Sequence, residues 1–398
     1  MSTERRILLW MCVLVAVNQL GFGGVMPSLP LYAATFGVSA SAIGLSVGIY
    51  GLARFCVAAP SGQISDRLGR RPALALGGAI TAAGNLWCAL AVTYPEFIMA
   101  RFLAGAGAGL IVTTGQIILA DITTPERRGR MMAIYQGTFI FAVGIGPLPG
   151  GMLAEHFGLT APFWFYTVAG GISGLLAWFA VGETREFARA KRSHAPGQGP
   201  SYWSQLRMLG RQPGYVLVCL VALTQAVART GALFSIVPLI ASTRLGLSVT
   251  TIGFGLAAGS VAGLAATYPA GMLVDYFGRK IVIWPAAIIA GISMLLFWVA
   301  PSGPWFMAAC LVWGVASAIG GAAPAAYAAD SAPPGLNATT MSVYRMAGDA
   351  GYVAGPILLG LLTDMRGPDA ALIISAGLLC AVGILFARLA PDTYRNRT

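Results

Sequence analysis

Charge is scarce in this chain. Of its 398 residues only 10% are Asp, Glu, Lys or Arg, while 57% are hydrophobic. Soluble domains carry about 25% charged residues, and a water-soluble protein of this length could not cover its surface with so few. The solvent for most of the sequence is therefore lipid. Histidine is scarcer still: His156 and His194 are the two, with no H-E-x-x-H spacing, which argues against a protein metal site. The six cysteines, Cys12, Cys56, Cys88, Cys219, Cys310 and Cys380, lie in apolar stretches and form no C-x-x-C pair. They read as small buried hydrophobes rather than disulfides or ligands. No G-x-x-x-x-G-K-[ST] loop is present, so the chain does not hydrolyse ATP, and no enzyme motif replaces it.

The net charge of +11 would suit a nucleic-acid partner, but its distribution excludes one. The positive residues sit in short loops between apolar runs. The first run, Ile7–Tyr32, is too long for the h-region of a signal peptide and is expected to be retained as a span. Crossing the hydrocarbon core takes about 20 apolar residues. On that measure the next spans are Ala40–Gly62, Ala73–Val92, Phe97–Ala120, Met131–Leu153 and Ala161–Val181. After a polar stretch come Gly214–Ile240, Thr250–Met272, Ile281–Val299, Pro304–Ala328, Met341–Leu362 and Ala370–Leu389. Only Arg244 and Arg366 fall in odd-numbered loops, and Arg54, Arg101, Arg229 and Arg345 lie within spans. The remaining Lys and Arg occupy the termini and even-numbered loops, apart from Arg388 at the cytoplasmic edge of the last span, which predicts a cytoplasmic location for both termini.

The chain also resembles itself. Shifted by 209 residues, Pro60 meets Pro269, Asp66 meets Asp275, Gly69 meets Gly278, Arg70 meets Arg279, Asp121 meets Asp330, and Gly146-Pro147 meets Gly355-Pro356. The offset runs without a gap from the second span to the fifth. Recurrence of two Asp and one Arg, in a chain with 14 acids, is hard to produce by chance. The expected architecture is an all-α membrane protein: twelve transmembrane helices in two pseudo-symmetric bundles of six. The expected domains are 1–182, a cytoplasmic linker at 183–213, and 214–398. The linker contains Ala195-Pro196-Gly197-Gln198-Gly199-Pro200 and a short amphipathic stretch at Tyr202–Met208.

Three motifs carry a family resemblance. The second loop reads Gly62-Gln63-Ile64-Ser65-Asp66-Arg67-Leu68-Gly69-Arg70-Arg71, echoed more weakly from Gly271 to Lys280. Span four carries Arg101 followed by Gly105, Gly107 and Gly109, and span five carries Gly146-Pro147-Leu148-Pro149-Gly150-Gly151. Together these resemble the major facilitator superfamily, in particular its twelve-span drug/proton antiporters. One fixed position departs, since Ala142 stands where the span-five motif has a leading Gly. The resemblance implies a secondary transporter that works by alternating access, with no cofactor and the proton gradient as energy source. It implies a monomer in a bacterial inner (plasma) membrane, whose partners are a small-molecule substrate, protons and the bilayer.

The resemblance assigns a cytoplasmic gate to Gly62, Asp66, Arg67, Gly69, Arg70, Arg71 and Asp121, repeated in Asp275, Arg279 and Asp330. Gly62 is expected to admit a neighbouring helix, Gly69 to allow a tight turn, and Asp66 to meet the N-terminus of span eleven. Gly146, Pro147, Gly150 and Gly151 form the antiporter motif, expected to kink and thin span five. The alternative is packing or topology alone. Proton coupling is assigned to Asp349, Arg345 and Arg101. Asp349 is the one acid deep in a span and shares a helix face with Arg345, so it is either the proton switch or half of a local ion pair. Arg101 either takes part in coupling or snorkels to water. Arg229, mid-span, needs a partner, water or an anionic ligand, and Asp349 is one possible partner. Further cavity candidates are Asn18, Gln19, Tyr50, Thr113, Gln116, Gln136, Gln225, Tyr327 and Tyr344, each of which could equally bind helix to helix.

Two functions are compatible with this pattern. The first is proton-coupled export of small organic or drug-like compounds. The second is uptake or exchange of an organic anion, favoured by the excess of arginine in the spans. A receptor that has lost transport is a third reading, opposed by the near-complete motifs.

Overall fold

The computed structural model describes residues 3–122, 125–184, 202–332 and 337–391. Helix is the dominant element, because lipid offers no partner for a backbone N–H or C=O and each span must satisfy its own. In chain order the helices are α1 Thr3–Val25, α2 Leu29–Ala34, α3 Ala40–Leu68, α4 Arg70–Leu90 and α5 Tyr94–Ile122. Then come α6 Pro125–Ile145, α7 Pro147–Phe157, α8 Ala161–Ala180 and α9 Tyr202–Gly210. The second half has α10 Pro213–Val227, a π-helical stretch Ala228–Ile236, α11 Val237–Thr243, α12 Val249–Phe277 and α13 Arg279–Val299. It ends with α14 Gly303–Asp330, α15 Asn337–Arg366 and α16 Pro368–Leu389. Among the described residues 12 helical segments are long and apolar enough to cross a membrane, as the sequence predicted.

Local chemistry sets most of the breaks. The first span ends at Val25 rather than Tyr32, because Pro27 cannot continue the hydrogen-bond ladder. The chain turns there into α2, where the Tyr32 hydroxyl donates to the Cys88 and Ala91 carbonyls. Span five is split at Gly146 into α6 and α7, where Pro147 and Pro149 remove two donors within one turn. Its repeat partner Pro356 stands alone and lies inside the unbroken α15. Span seven runs through α10, the π-helical stretch and α11. Pro238, in the first turn of α11, has no N–H to return to the preceding turn, and a wider turn before it absorbs that loss.

Two compact units divide the chain: Met1–Val38, Ile49–Gly197 and Ser248–Phe254 in one, Ser39–Gly48, Gln198–Leu247 and Gly255–Thr398 in the other. Each therefore takes the first residues of one long helix, α3 or α12, from the opposite sequence half. In the first unit α4 packs on α5 and α8, and α1 on α6 and α8. The second unit repeats the scheme, with α13 on α14 and α16, and α10 on α15 and α16.

Their cores are separate. One gathers Met11, Leu14, Leu74, Ile111, Ile118 and Tyr135; the other gathers Tyr215, Val218, Ile283, Ala323, Tyr327 and Phe386. The repeat extends to the backbone. All six glycines with positive φ among the described residues pair at the 209-residue offset: Gly37 (69°) with Gly246 (61°), Gly69 (103°) with Gly278 (85°), and Gly158 (90°) with Gly367 (84°).

Of the cysteines, Cys88 and Cys310 are buried, but Cys56 is exposed, against expectation. It lies on a helix designed for lipid, where an apolar thiol needs no protein cover. The linker reading falls largely on residues 185–201, outside the described residues.

Candidate functional site

The loop after α3 builds a charged cluster around one arginine. Gly69 takes a φ of 103° that a side chain would resist, and this turn starts α4 at Arg70. Arg70 is only 2% exposed. Its Nε–H donates to Asp121 Oδ2 at 3.0 Å, and its Nη1 donates to Asp66 Oδ1 at 2.6 Å and Ser65 Oγ at 3.0 Å. A buried guanidinium is tolerable only when its charge and its N–H groups are both matched, as they are here. The backbone is tied as well. Glu183, just after span six, accepts the Arg70 N–H at 3.0 Å on Oε1 and the Arg71 N–H at 3.2 Å on Oε2, capping α4.

Glu183 is a site residue that sequence reasoning missed. The available signal was an acid directly after a span, in a chain with 14 acids. The neighbouring arginines do different work. The Arg71 guanidinium lies 4.9 Å from the centroid of the Trp178 ring, and the Arg67 side chain is exposed.

Arg279 Nε lies 2.9 Å from Asp330 Oδ2, the same atoms as in Arg70–Asp121, though without the angle of a hydrogen bond. The side chain of Asp275 lies outside the described residues. Gly62 does not do what was expected of it. No described atom lies within 4 Å of where its Cβ would be, so it admits no described helix.

A second cluster lies inside the first unit. Arg101 is fully buried, with its guanidinium carbon 4.6 Å from the centroid of the Tyr50 ring, so it does not snorkel to water. The Tyr50 hydroxyl is 2.9 Å from that of Tyr166, and Phe22 stacks on Tyr50 with centroids 5.0 Å apart. The glycines after Arg101 work on two sides. Gly105 and Gly109 lie against the backbone of Tyr50 and Arg54 in α3, while Gly107 lies against Thr81 in α4. Asn18, Gln19 and Tyr50 are almost wholly enclosed, so in this structure they are interior groups rather than accessible cavity lining.

The span-five motif is likewise two-sided. Gly146 and Gly150 meet the backbone of Gly23 and Gly24 in α1. Pro147 and Gly151 face the start of α12, where the Pro147 carbonyl lies against Gly253 and Gly151 against Val249 and Thr250. The helix is interrupted at Gly146, and the glycines of the motif allow close backbone contacts on both sides.

The second unit holds the remaining ionisable groups. Arg345 Nε and Asp349 Oδ2 are 3.9 Å apart on α15, with side chains 52% and 51% exposed. Asp349 is thus neither sealed in an apolar interior nor paired with Arg229. The partner reading for Arg229 is corrected: Asp349 pairs one turn along its own helix. Arg229 instead begins the π-helical stretch, with its side chain accessible although protein crowds around it.

No carboxylate of the described residues lies within 4 Å of Arg229. One turn before it, Gln225 Nε2 is buried beside Gly320 without a partner. Two donors thus stand on one helix face, neither with a carboxylate partner among the described residues. Tyr327 is also corrected: its hydroxyl donates to the Pro391 carbonyl at 2.8 Å and its ring packs on Phe386. That makes it a helix-end anchor, not cavity lining. Gln136 is exposed, and Thr113, Gln116, Gln225 and Tyr344 are half-buried.

These features agree with comparisons to known proteins. A family model described as Major Facilitator Superfamily matches residues 11–263 and 218–398. The inner membrane transport protein YajR of Escherichia coli is 29% identical over 233 residues, 58% of this chain and 51% of that protein. Citrate exporter 1 of Aspergillus niger is 30% identical over 185 residues, 46% of this chain and 35% of that protein. The matched region thus spans about half of the first relative and about a third of the second. Among solved structures, a bacterial homolog of the human lysosomal transporter Spinster superposes with a TM-score of 0.78, covering 99% of this chain and 98% of that one at 17% identity.

Proposed function

The chain belongs to the Major Facilitator Superfamily, and we propose that this transporter exports small organic compounds in exchange for protons. It is a membrane transporter rather than an enzyme. In the orientation that the loop charges favour, both termini and the Arg70 cluster face the cytoplasm of a bacterial inner membrane, and the monomer contains the whole pathway.

One observation carries the proton coupling: the loose, half-exposed pair of Arg345 and Asp349. Asp349 lies ten residues into a span that begins at Thr339, about 15 Å along the helix axis. An ionisable group at that depth is costly and tends to be functional. At 3.9 Å the pair is at the outer limit of an ion pair. A proton arriving on Asp349 neutralises it and weakens its attraction for Arg345. A substrate that engages Arg345 leaves Asp349 without its cation and favours protonation. Proton and substrate are thereby linked through one pair. Resemblance over about half of the chain to an exporter of citrate supports the outward direction.

Arg229 favours an organic anion as the substrate, whether exported or exchanged. Arg54, Arg101, Arg229 and Arg345 outnumber the one acid that lies deep within a span, Asp349. That excess repels a lipophilic cation and attracts a carboxylate. The unpartnered amide of Gln225 adds a second donor on the same helix face as Arg229.

The test is a substrate screen in proteoliposomes under an imposed pH gradient, with internal pH recorded for wild type and Asp349→Asn, beginning with citrate. Proton movement evoked by a compound in wild type and lost in the variant is the expected result. Equal proton movement in both would remove Asp349 as the switch. Uptake of a labelled anion without any proton movement would replace antiport by exchange.

A further inference from the structure

The repeat reaches two carboxylates, Asp364 and Glu155, that none of the motifs includes. In the second unit the Asp364 carboxylate, near the end of α15, accepts two N–H groups at the start of α3. Ala40 donates at 2.7 Å to Oδ1 and Ser41 at 3.0 Å to Oδ2. In the first unit Glu155, near the end of α7, accepts the Thr250 N–H at the start of α12 at 3.1 Å. Asp364 lies 209 residues after Glu155, and Thr250 lies 209 after Ser41, the offset seen in the motifs.

The match continues inward through the backbone. Gly360 sits against Ala40 and Ser41, and its repeat Gly151 against Val249 and Thr250. One turn deeper Gly44 meets the Pro356 carbonyl, and its repeat Gly253 meets the Pro147 carbonyl. A carboxylate above a row of close glycine contacts thus occurs twice, each time joining helices from opposite sequence halves within one compact unit.

The physics makes each contact a reversible clasp. The first N–H groups of a helix have no partner in the helix, and an anion placed there gains both hydrogen bonds and the helix dipole. These caps are exposed, so water competes with them and neither is strong alone. Below them, backbone packs on backbone without interlocking side chains, so the surfaces can part without rotamer changes. Both clasps lie at the end of the spans opposite Arg70–Asp121 and Arg279–Asp330.

We propose that Glu155 and Asp364 are a matched pair of gating residues. Their caps hold the starts of α12 and α3, and both must release and re-form in every transport cycle. This rests on the chain being a transporter, not on the substrate or the proton coupling proposed above. In the orientation given there, each clasp lies at the periplasmic end of its helices.

The test is double electron–electron resonance on the full chain in lipid, with spin labels at Ala34 and Met365 and the six native cysteines replaced. Wild type is compared with Glu155→Gln, Asp364→Asn and the double variant. Each substitution should raise the ratio of long to short label distances by roughly two- to fivefold, the worth of one exposed helix-terminus charge, and the double variant by roughly the product. Asp121→Asn, which weakens the opposite end, should move the same ratio the other way. An unchanged ratio in the double variant, in a background where Asp121→Asn does move it, would overturn the proposal. A lowered melting temperature with no change in the distances would also overturn it, by making the caps purely structural.

Discussion

The Nε of Arg70 lies 3.0 Å from Oδ2 of Asp121, and the same two atoms meet at 2.9 Å in Arg279 and Asp330, 209 residues later. The first pair is the better enclosed: Arg70 is 2% exposed against 24% for Arg279. The two copies of one fold have therefore kept one contact at different depths, and the copies should not tolerate damage equally.

Asp121→Asn should be the more harmful change at the Arg70 cluster. Asp121 is 12% exposed and Asp66 38%. Removing the enclosed partner of a buried charge costs about 2–4 kcal/mol when a second acid remains. Removing the exposed one costs about 1 kcal/mol or less. Both variants should express and reach the membrane, with turnover falling by about tenfold or more in Asp121→Asn. Initial transport rates normalised to protein level check this, and equal rates in wild type and Asp121→Asn would end the claim that the cluster controls turnover.

Glu183→Gln should weaken the same cluster from the backbone side. The neutral amide loses the charge that faces the Arg70 and Arg71 N–H groups, worth about 0.5–1 kcal/mol at a helix start. The melting temperature in detergent should drop by a few degrees or less. The loss should shrink in high salt, since the interaction is electrostatic. A loss that ignores salt would point to packing instead.

Arg229→Ala should act on anions selectively. A charge-assisted hydrogen bond is worth about 1.5–3 kcal/mol, so the Kd of an anionic ligand should rise by about 10- to 100-fold. A neutral ligand of similar size should change by less than about threefold. Calorimetric titration of both ligands decides. If both weaken alike, Arg229 shapes the π-helical stretch rather than binding substrate.

Gly150→Ala and Gly137→Ala form a matched contrast in span five. A methyl at Gly150 would strike the Gly24 backbone, whereas no described atom lies within 4 Å of the position at Gly137. Overpacking costs about 1–3 kcal/mol, while Ala is favoured over Gly in a helix by about 1 kcal/mol. Thermal unfolding should therefore move down for Gly150→Ala and stay level or rise for Gly137→Ala. Equal shifts would mean that the motif glycine makes no special contact.

Much of this protein was legible without coordinates because membrane segments obey a one-dimensional rule. A stretch of about 20 apolar residues must span, and a Lys or Arg is held out of the core. The twelve spans, the repeat and the break at Pro147 follow from composition and spacing, and the grouping of Arg70 with Asp121 from the motif resemblance. Where reasoning failed, the missing quantity was direction around a helix. Gly62 and Gly150 look alike in sequence, yet one faces no described atom and the other meets Gly24. Tyr327 looked like cavity lining and instead reaches Pro391.

By itself, then, the sequence determined what this chain dissolves in, how often it crosses and which residues recur in its two halves. Hydrophobic length, charge placement and a fixed offset are properties of order along the chain. Only the tertiary structure decided which recurring residues touch. Asp349 turned to Arg345 rather than Arg229, Glu183 returned to cap the helix that carries Arg70, and Glu155 and Asp364 found helix starts from the opposite sequence half. Those choices depend on which groups remain unpaired after the helices have packed, and an unpaired donor is a feature of three-dimensional neighbours.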